Sequence, residues 1–205
     1  MTTQKAIKGF DKDLKCRDFQ FKLGETYKHE GTVKACKSGF HSIIGHPLAV
    51  FGYYAPAGSR FCFVEVSGET HADDSDKIAS EILSVGREIG ITDLVNEAIK
   101  WVTDRATLEG EVATGDQGAA SATGVRGAAS ATGDQGAASA TGYQGAASAT
   151  GYQGAASATG DQGAASATGD QGAASATGYQ GAASATGDQG AASATGDQGA
   201  ASATG

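Results

Sequence analysis

The sequence predicts a small α+β N-terminal domain followed by an all-β parallel solenoid, flat and alanine-filled, with about 18 residues per coil. Three observations predict it. From Gly115 onward the chain repeats Gly-Xaa-Xaa-Gly-Ala-Ala-Ser-Ala-Thr ten times, and Gly205 opens an eleventh copy. Composition breaks near Leu108: 14 of the 15 Lys and Arg, and 17 of the 23 Asp and Glu, lie before Gly115. Ahead of the break, apolar residues follow strand and helix periods in turn and no repeat. The organisation read from these is an α+β domain over 1–108, a junction over 109–114 and a nonapeptide array over 115–205.

Residues 5–10 read as a short strand, and 19–23 (Phe-Gln-Phe-Lys-Leu) alternate apolar and polar side chains as a half-buried strand does. Gly24 and Glu25 mark a turn, after which 26–29 return as a hairpin arm. Residues 47–54 read as a short helix with proline in its first turn. The clearest strand is 60–66 (Arg-Phe-Cys-Phe-Val-Glu-Val), while 77–88 fits either a strand or a helix. The clearest helix is 92–104, with Thr92 as N-cap and Leu94, Val95, Ala98, Ile99 and Val102 on one apolar face. About a hundred residues suffice for a modest core of their own.

Cys16, Cys36 and Cys62, odd in number and without paired spacing, do not read as a disulfide framework. Cys36, His41 and His46 follow one another at spacings of five, but the Cys-x-x-Cys or His-x-x-x-His pair and the fourth ligand of a tetrahedral zinc site are missing. Cys36 and Cys62 read instead as buried small hydrophobes. His71, Asp73, Asp74 and Asp76 form a polar loop that lacks the central glycine and distal glutamate of an EF-hand. No catalytic residue, metal or cofactor is assigned.

In the array, Gly-x-x-Gly is a corner and Ala-Ala-Ser-Ala-Thr a strand. Period two places Ala120 and Ala122 on one face and Ser121 with Thr123 on the other. Alanines facing inward make the coil flat, and one strand plus one corner per unit closes a coil in two units. Collagen is excluded because glycine does not recur at every third place, and a helical array because glycine recurs too often. Disorder is the competing reading of so much Gly, Ala and Ser. One position toggles between Asp and Tyr, with a single Val125. An 18-residue coil sorts it into two edges: Asp116, Asp134, Tyr152, Asp170 and Asp188 on one; Val125, Tyr143, Asp161, Tyr179 and Asp197 on the other. These aspartates and tyrosines are the candidate interaction residues, and tyrosine also separates like charges stacked at ~4.8 Å.

The run Gly9-Phe10-Asp11, residues 19–27, Cys36 to His41, Pro47 to Tyr54 and Arg60-Phe61, continued by the Gly-Ala-Ala-Ser-Ala-Thr repeats, resembles phage and prophage proteins that carry an N-terminal domain of unknown function before such an array. The resemblance implies a phage-related origin and no activity. A fainter similarity to the core order of ADP-ribosyltransferases, through Gly39 to Ser42 and Phe63 to Gly68, implies Glu81 as a loose catalytic candidate.

Net charge is −8 and no basic cluster stands out, which disfavours direct nucleic-acid binding. No segment reaches membrane-spanning length and no apolar leader follows Met1, so the expectation is a cytoplasmic protein of the host cell with no membrane partner. The function expected is a non-enzymatic structural or interaction protein whose solenoid is a rigid assembly or binding surface. Its partners would be a host protein and further copies of the chain, joined through uncapped C-terminal rungs. The alternatives are an acidic nucleic-acid-mimicking decoy, an ice- or surface-binding solenoid, and a degenerate ADP-ribosyltransferase-like domain.

Overall fold

The computed structural model describes residues 3–72, 76–105 and 111–205, which divide into two compact units, Met1–Gly90 and Ile91–Gly205. Asp73 and Asp74 of the expected polar loop lie outside the described residues, as does part of the expected junction.

The first unit is built on β1 (Gln4–Phe10), β2 (Lys15–Cys16), β3 (Phe19–Gln20), β4 (Thr26–Lys28), β5 (Phe40–Ile43), β6 (Arg60–Ala72) and β7 (Lys77–Ile89), with a 3₁₀ turn at Pro47–Gly52. Residues 77–88, ambiguous by pattern, are strand. β6 and β7 form a long antiparallel hairpin whose register shifts twice, and such bulges let a long ribbon bend. β1 pairs with β6, β5 pairs with β7, and β1 meets β5 at Ile7 and Ile43, so the ladder closes on itself. Phe10, Leu14, Phe21, Cys62, Val66 and Leu83 fill its inside.

Two expectations change here. The strand expected over 19–23 is only Phe19–Gln20, paired with β2. The segment 26–29 does not return on it; β4 pairs with β7, and the Gly24 amide donates to the Val85 carbonyl at 2.8 Å. The long β7 has an open edge beyond β5, and pairing there satisfies more backbone groups than a short local hairpin would. Cys62 is buried as expected, but Cys36 is exposed, with φ +61°.

His46, fully buried before the 3₁₀ turn, has its pKa pushed down from 6.5 to about 3 by burial. The unfolded chain takes up a proton near pH 6.5 that the folded unit refuses. The resulting stability is whole above that pH and drains away as pH falls toward 3, by at most about 1.4 kcal/mol per pH unit. Urea midpoints of the first unit, followed by near-ultraviolet circular dichroism, should therefore fall between pH 6.5 and 4. His46→Gln should flatten that slope; an unchanged slope would contradict the assignment.

The second unit begins with α1 (Ile91–Thr103) and continues with β8 (Glu111–Thr114). Ten strands of identical sequence follow: β9 (Ala119–Thr123), β10 (Ala128–Thr132), β11 (Ala137–Thr141), β12 (Ala146–Thr150), β13 (Ala155–Thr159), β14 (Ala164–Thr168), β15 (Ala173–Thr177), β16 (Ala182–Thr186), β17 (Ala191–Thr195) and β18 (Ala200–Thr204). They form two parallel sheets, β8-β10-β12-β14-β16-β18 and β9-β11-β13-β15-β17. Each array strand pairs in register with the strand two units on, Ala146 on Ala164 and Thr150 on Thr168 for example. The array is thus a parallel β-solenoid of about five coils with 18 residues in each.

The second and third alanines of each strand face inward as the period-two pattern requires, and Ala129, Ala131, Ala138, Ala140 and their equivalents form one continuous core. With only methyl groups between the sheets, the coil is held mainly by backbone ladders, since each methyl contributes only about 1 kcal/mol of burial.

α1 belongs to this unit. Its contacts run along β10, β12, β14, β16 and β18, and Leu94, Val95, Ala98 and Val102 are buried. Outward Ala128, Ala146, Ala164, Ala182 and Ala200 are buried too, whereas their counterparts on the other sheet, Ala119, Ala137, Ala155 and Ala173, are exposed. Thr92 lies inside the first turn of the helix, one residue past its start. Its hydroxyl bonds those of Ser184 at 3.1 Å and Ser202 at 3.4 Å, so it ties the helix to the sheet. The apolar face read from the sequence is present, and what it covers is the repeat array.

Candidate functional site

The corner between strands decides what the toggling position does. The amide of each corner Gln donates to the carbonyl of the toggling residue one coil earlier: Gln135 to Asp116 at 2.7 Å, Gln162 to Tyr143 at 2.9 Å, Gln180 to Asp161 at 2.6 Å. The bond is the same whether the residue is Asp or Tyr, because only its backbone takes part. The first glycine of each unit stacks just as closely: a Cβ at Gly151 would land on the carbonyl oxygen of Gly133, and its φ is +152°. Corner backbone and glycine are committed to the ladder; the toggling side chain is not.

The neighbouring glutamine is committed as well. Gln117, Gln135, Gln153, Gln171 and Gln189 form a side-chain amide ladder, each Nε2 donating to the next Oε1 at 2.8–3.3 Å. Gln144, Gln162, Gln180 and Gln198 form a second at 2.9–3.1 Å, where Gln162 and Gln180 are buried. Each rung satisfies the next, as in stacked cross-β arrangements. The variable position does not point to these glutamines; their constancy beside it, in nine of ten units, is the signal in the sequence that does. The one exception, Arg126, places its guanidinium 5.8 Å from the ring of Trp101 on α1.

Asp116, Asp134, Tyr152, Asp170 and Asp188 follow one another along one edge, and Val125, Tyr143, Asp161, Tyr179 and Asp197 along the other, as the 18-residue register requires. Tyr143, Tyr152 and Tyr179 are about half exposed, at 54%, 51% and 51%. The aspartates are exposed as well. On the first edge two pairs of carboxylates are stacked neighbours, whereas on the second no two are. The sheet without the helix presents outward columns of Ala, Ser and Thr and no charge.

The first unit holds a cleft of about 720 Å³. β1 supplies Lys8, the β2–β3 turn Arg17, Asp18 and Phe19, the segment before β5 Cys36 and Lys37, β5 His41 and Ser42, the 3₁₀ turn's end Tyr53 and Tyr54, and β7 Lys77. Lys8 is buried, its Nζ donating to the His41 carbonyl at 2.7 Å and lying 5.5 Å and 5.4 Å from the rings of Phe10 and Phe21. Burial holds its pKa below the usual lysine value, partly offset by the Cys16 thiol beside it. The Tyr54 hydroxyl donates to Cys16 Sγ at 2.9 Å, and burial, then that bond, push the Tyr54 pKa up. Gly9 makes room for Tyr54, whose ring a Cβ there would meet at 2.5 Å.

Cys36 and His41 line this cleft, but His46 sits in the core, and among the described residues no three His, Cys, Asp or Glu side chains gather as metal ligands would. Glu81 does not line the cleft; Lys28 at 3.3 Å and the Glu69 amide at 3.0 Å hold it, keeping its carboxyl below the usual range. Glu81 follows Ser80, which pairs with Phe40 in the β5–β7 ladder, so Glu81 lies next to the Gly39 to Ser42 segment with its carboxylate held by those two groups. No helix among the described residues is long and apolar enough to cross a membrane.

An N-terminal domain of unknown function, DUF7666, is present: residues 4–97 match that family, a span that takes in the whole closed sheet and runs into α1. No curated protein and no solved structure matches the chain.

Proposed function

We propose that this chain is a non-enzymatic structural interaction protein of phage or prophage origin, acting in the host cytoplasm, whose array is a rigid platform for a protein partner. The observation that carries the reading is the division of roles at the corner. Glycine, glutamine and backbone build the ladder, and one position per unit is released, presenting an exposed Asp or Tyr in nine of the ten units. Tyrosine is a common anchor at protein interfaces, being large, amphipathic and low in rotamer entropy. The phage origin rests on the resemblance carried by the domain joined to these repeats.

The bare sheet alone is too small to be the whole interface. Five strands of five residues cover about 400 Å² at ~3.3 Å per residue and ~4.8 Å per rung, half of the ~800 Å² per partner of a standard interface. The edges must therefore contribute. A nucleic-acid mimic fits less well, because Tyr152 interrupts the row of carboxylates on the one edge that has neighbours.

Self-association of the 205-residue chain is part of the proposal. β17 and β18 are the last strands of their sheets, and they carry no charge, proline or bulge to block an incoming strand. Ser202→Lys together with Ala200→Pro should lower the mass measured by light scattering, and an unchanged mass would remove this part. For the partner, a photocrosslinking side chain at 143, 152 or 179 should capture the same host protein. Tyr→Ser at all three should abolish its binding with the circular dichroism spectrum intact. Retention of binding by that variant would refute the platform reading.

A further inference from the structure

The chain carries net charge −8, yet the 720 Å³ cleft of the first unit is lined by four cations and a single carboxylate, Asp18. Such a local reversal of sign within an acidic chain concentrates anions rather than repelling them. Burial first, and then the charges of Lys8, Lys77 and Arg17, hold the His41 pKa below its usual value. Among the described residues neither Arg17 nor Lys37 has a carboxylate within ion-pair distance. Four cations gathered around one carboxylate leave an excess of positive charge, whose mutual repulsion a bound anion would relieve.

Two polar atoms point to the same conclusion independently. Ser42 is buried with 3% exposure and its Oγ has no hydrogen-bond partner; nor has His41 Nε2, also buried. Buried polar atoms are ordinarily satisfied, so a pair of orphans lining one cleft marks the place of a missing partner. An imidazole nitrogen and a hydroxyl, set among cations, can both donate to the oxygens of a phosphate. The backbone is consistent with this use: Arg17 and Cys36, on opposite segments of the cleft, both hold the left-handed conformation, at φ +55° and +61°.

The lining also holds five aromatic residues, Phe19, Phe21, Phe40, Tyr53 and Tyr54. Phe19 is 44% exposed, which is unusual for phenylalanine, and Tyr53 is 51% exposed with Lys77 Nζ 4.0 Å from its ring. Phe19 also packs on Phe21, Tyr27 and Phe40 with ring centroids 4.7–5.5 Å apart, so a partly exposed, positioned ring at the cleft is suited to stacking a flat heterocycle whose phosphate lies on the charges. The volume fits a ligand of that size, within the roughly 300–1,000 Å³ of small-molecule sites. We infer that the cleft of the first unit is a binding site for a free nucleotide: phosphate toward Lys8, Arg17, Lys37 and Ser42, base toward Phe19 and Tyr53.

The test is calorimetric titration of the full chain with ADP, GDP and UDP, and in parallel with adenosine and with inorganic phosphate. Saturable binding of at least one diphosphate is expected below about 1 mM, with adenosine and phosphate each at least tenfold weaker, about 1.4 kcal/mol. Arg17→Gln with Lys37→Gln, both on exposed side chains, should weaken the nucleotide at least about tenfold while the spectrum of the fold is unchanged. Phe19→Ala should weaken the nucleotide and leave phosphate alone. In proton NMR the His41 pKa should rise on binding, because a dianion offsets the cations around it. Absence of saturation, equal affinity for inorganic phosphate, or an unaffected double variant would overturn the assignment.

Discussion

Ala149→Leu should cost the array about 3 kcal/mol or more, the largest effect expected of any single side chain in it. Ala149 is 1% exposed, stacked between Ala131 and Ala167 of neighbouring rungs, within a core made of alanine only. Added carbons have no void to enter, and ladders on both sides prevent one rung from moving outward without its neighbours. Overpacking an ordinary core costs about 1–3 kcal/mol, and a methyl-thick layer has less room to adjust. Ser157→Leu, on the bare sheet, should stay within about 0.5 kcal/mol. The sole tryptophan, Trp101, lies on α1 and reports this unit, so fluorescence-detected urea unfolding measures both variants. Equal midpoints for the two would mean that the sheets are not close-packed.

Gly151→Val comes second. The residue must leave a left-handed φ that valine hardly visits, and its Cβ would displace the Gly133 carbonyl. Strain of about 1–3 kcal/mol then adds to a broken corner, where Gly151 N–H donates to Thr168 and its carbonyl accepts from Gly154. Gly154→Ala is the control. That glycine has no left-handed φ and its Cβ would meet atoms no nearer than 3.4 Å, so a change below about 1 kcal/mol is expected. If both substitutions cost the same, the corner is not built as described.

The array was legible because every requirement it makes is local and repeated. Glycine at a left-handed corner, alternation of Ala120 with Ser121, and a two-unit coil all follow from residue type and period. The toggling edges follow from that register, whereas the amide ladders of Gln117 and Gln144 do not, because an invariant polar residue at a corner is equally compatible with a solvated side chain. The helix over 91–103 was legible as an amphipathic element, but amphipathicity names no partner, and alanine columns give little sign of which surface will receive it. In the first unit the same limit appears twice. β4 pairs with β7 across fifty-odd residues, and Lys8, Arg17, Lys37 and Lys77 meet only once the ladder closes. Contacts between segments distant in sequence carry no period to read.

Because each nonapeptide contributes a single strand and successive strands alternate between the sheets, the array possesses a parity. Gain or loss of an even number of units lengthens or shortens the rod by whole coils of ~4.8 Å, and every downstream strand keeps its side. An odd change inserted after Arg126 would send every later strand to the opposite sheet. Tyr143 and Tyr179 would move to the edge now held by Tyr152, while α1 would still find alanine columns to cover, since the strands are identical. Stability would hardly register the difference. The pattern shown to a partner would be mirrored between edges, so recombination among near-identical repeats can alter recognition in steps of nine residues without disturbing the fold.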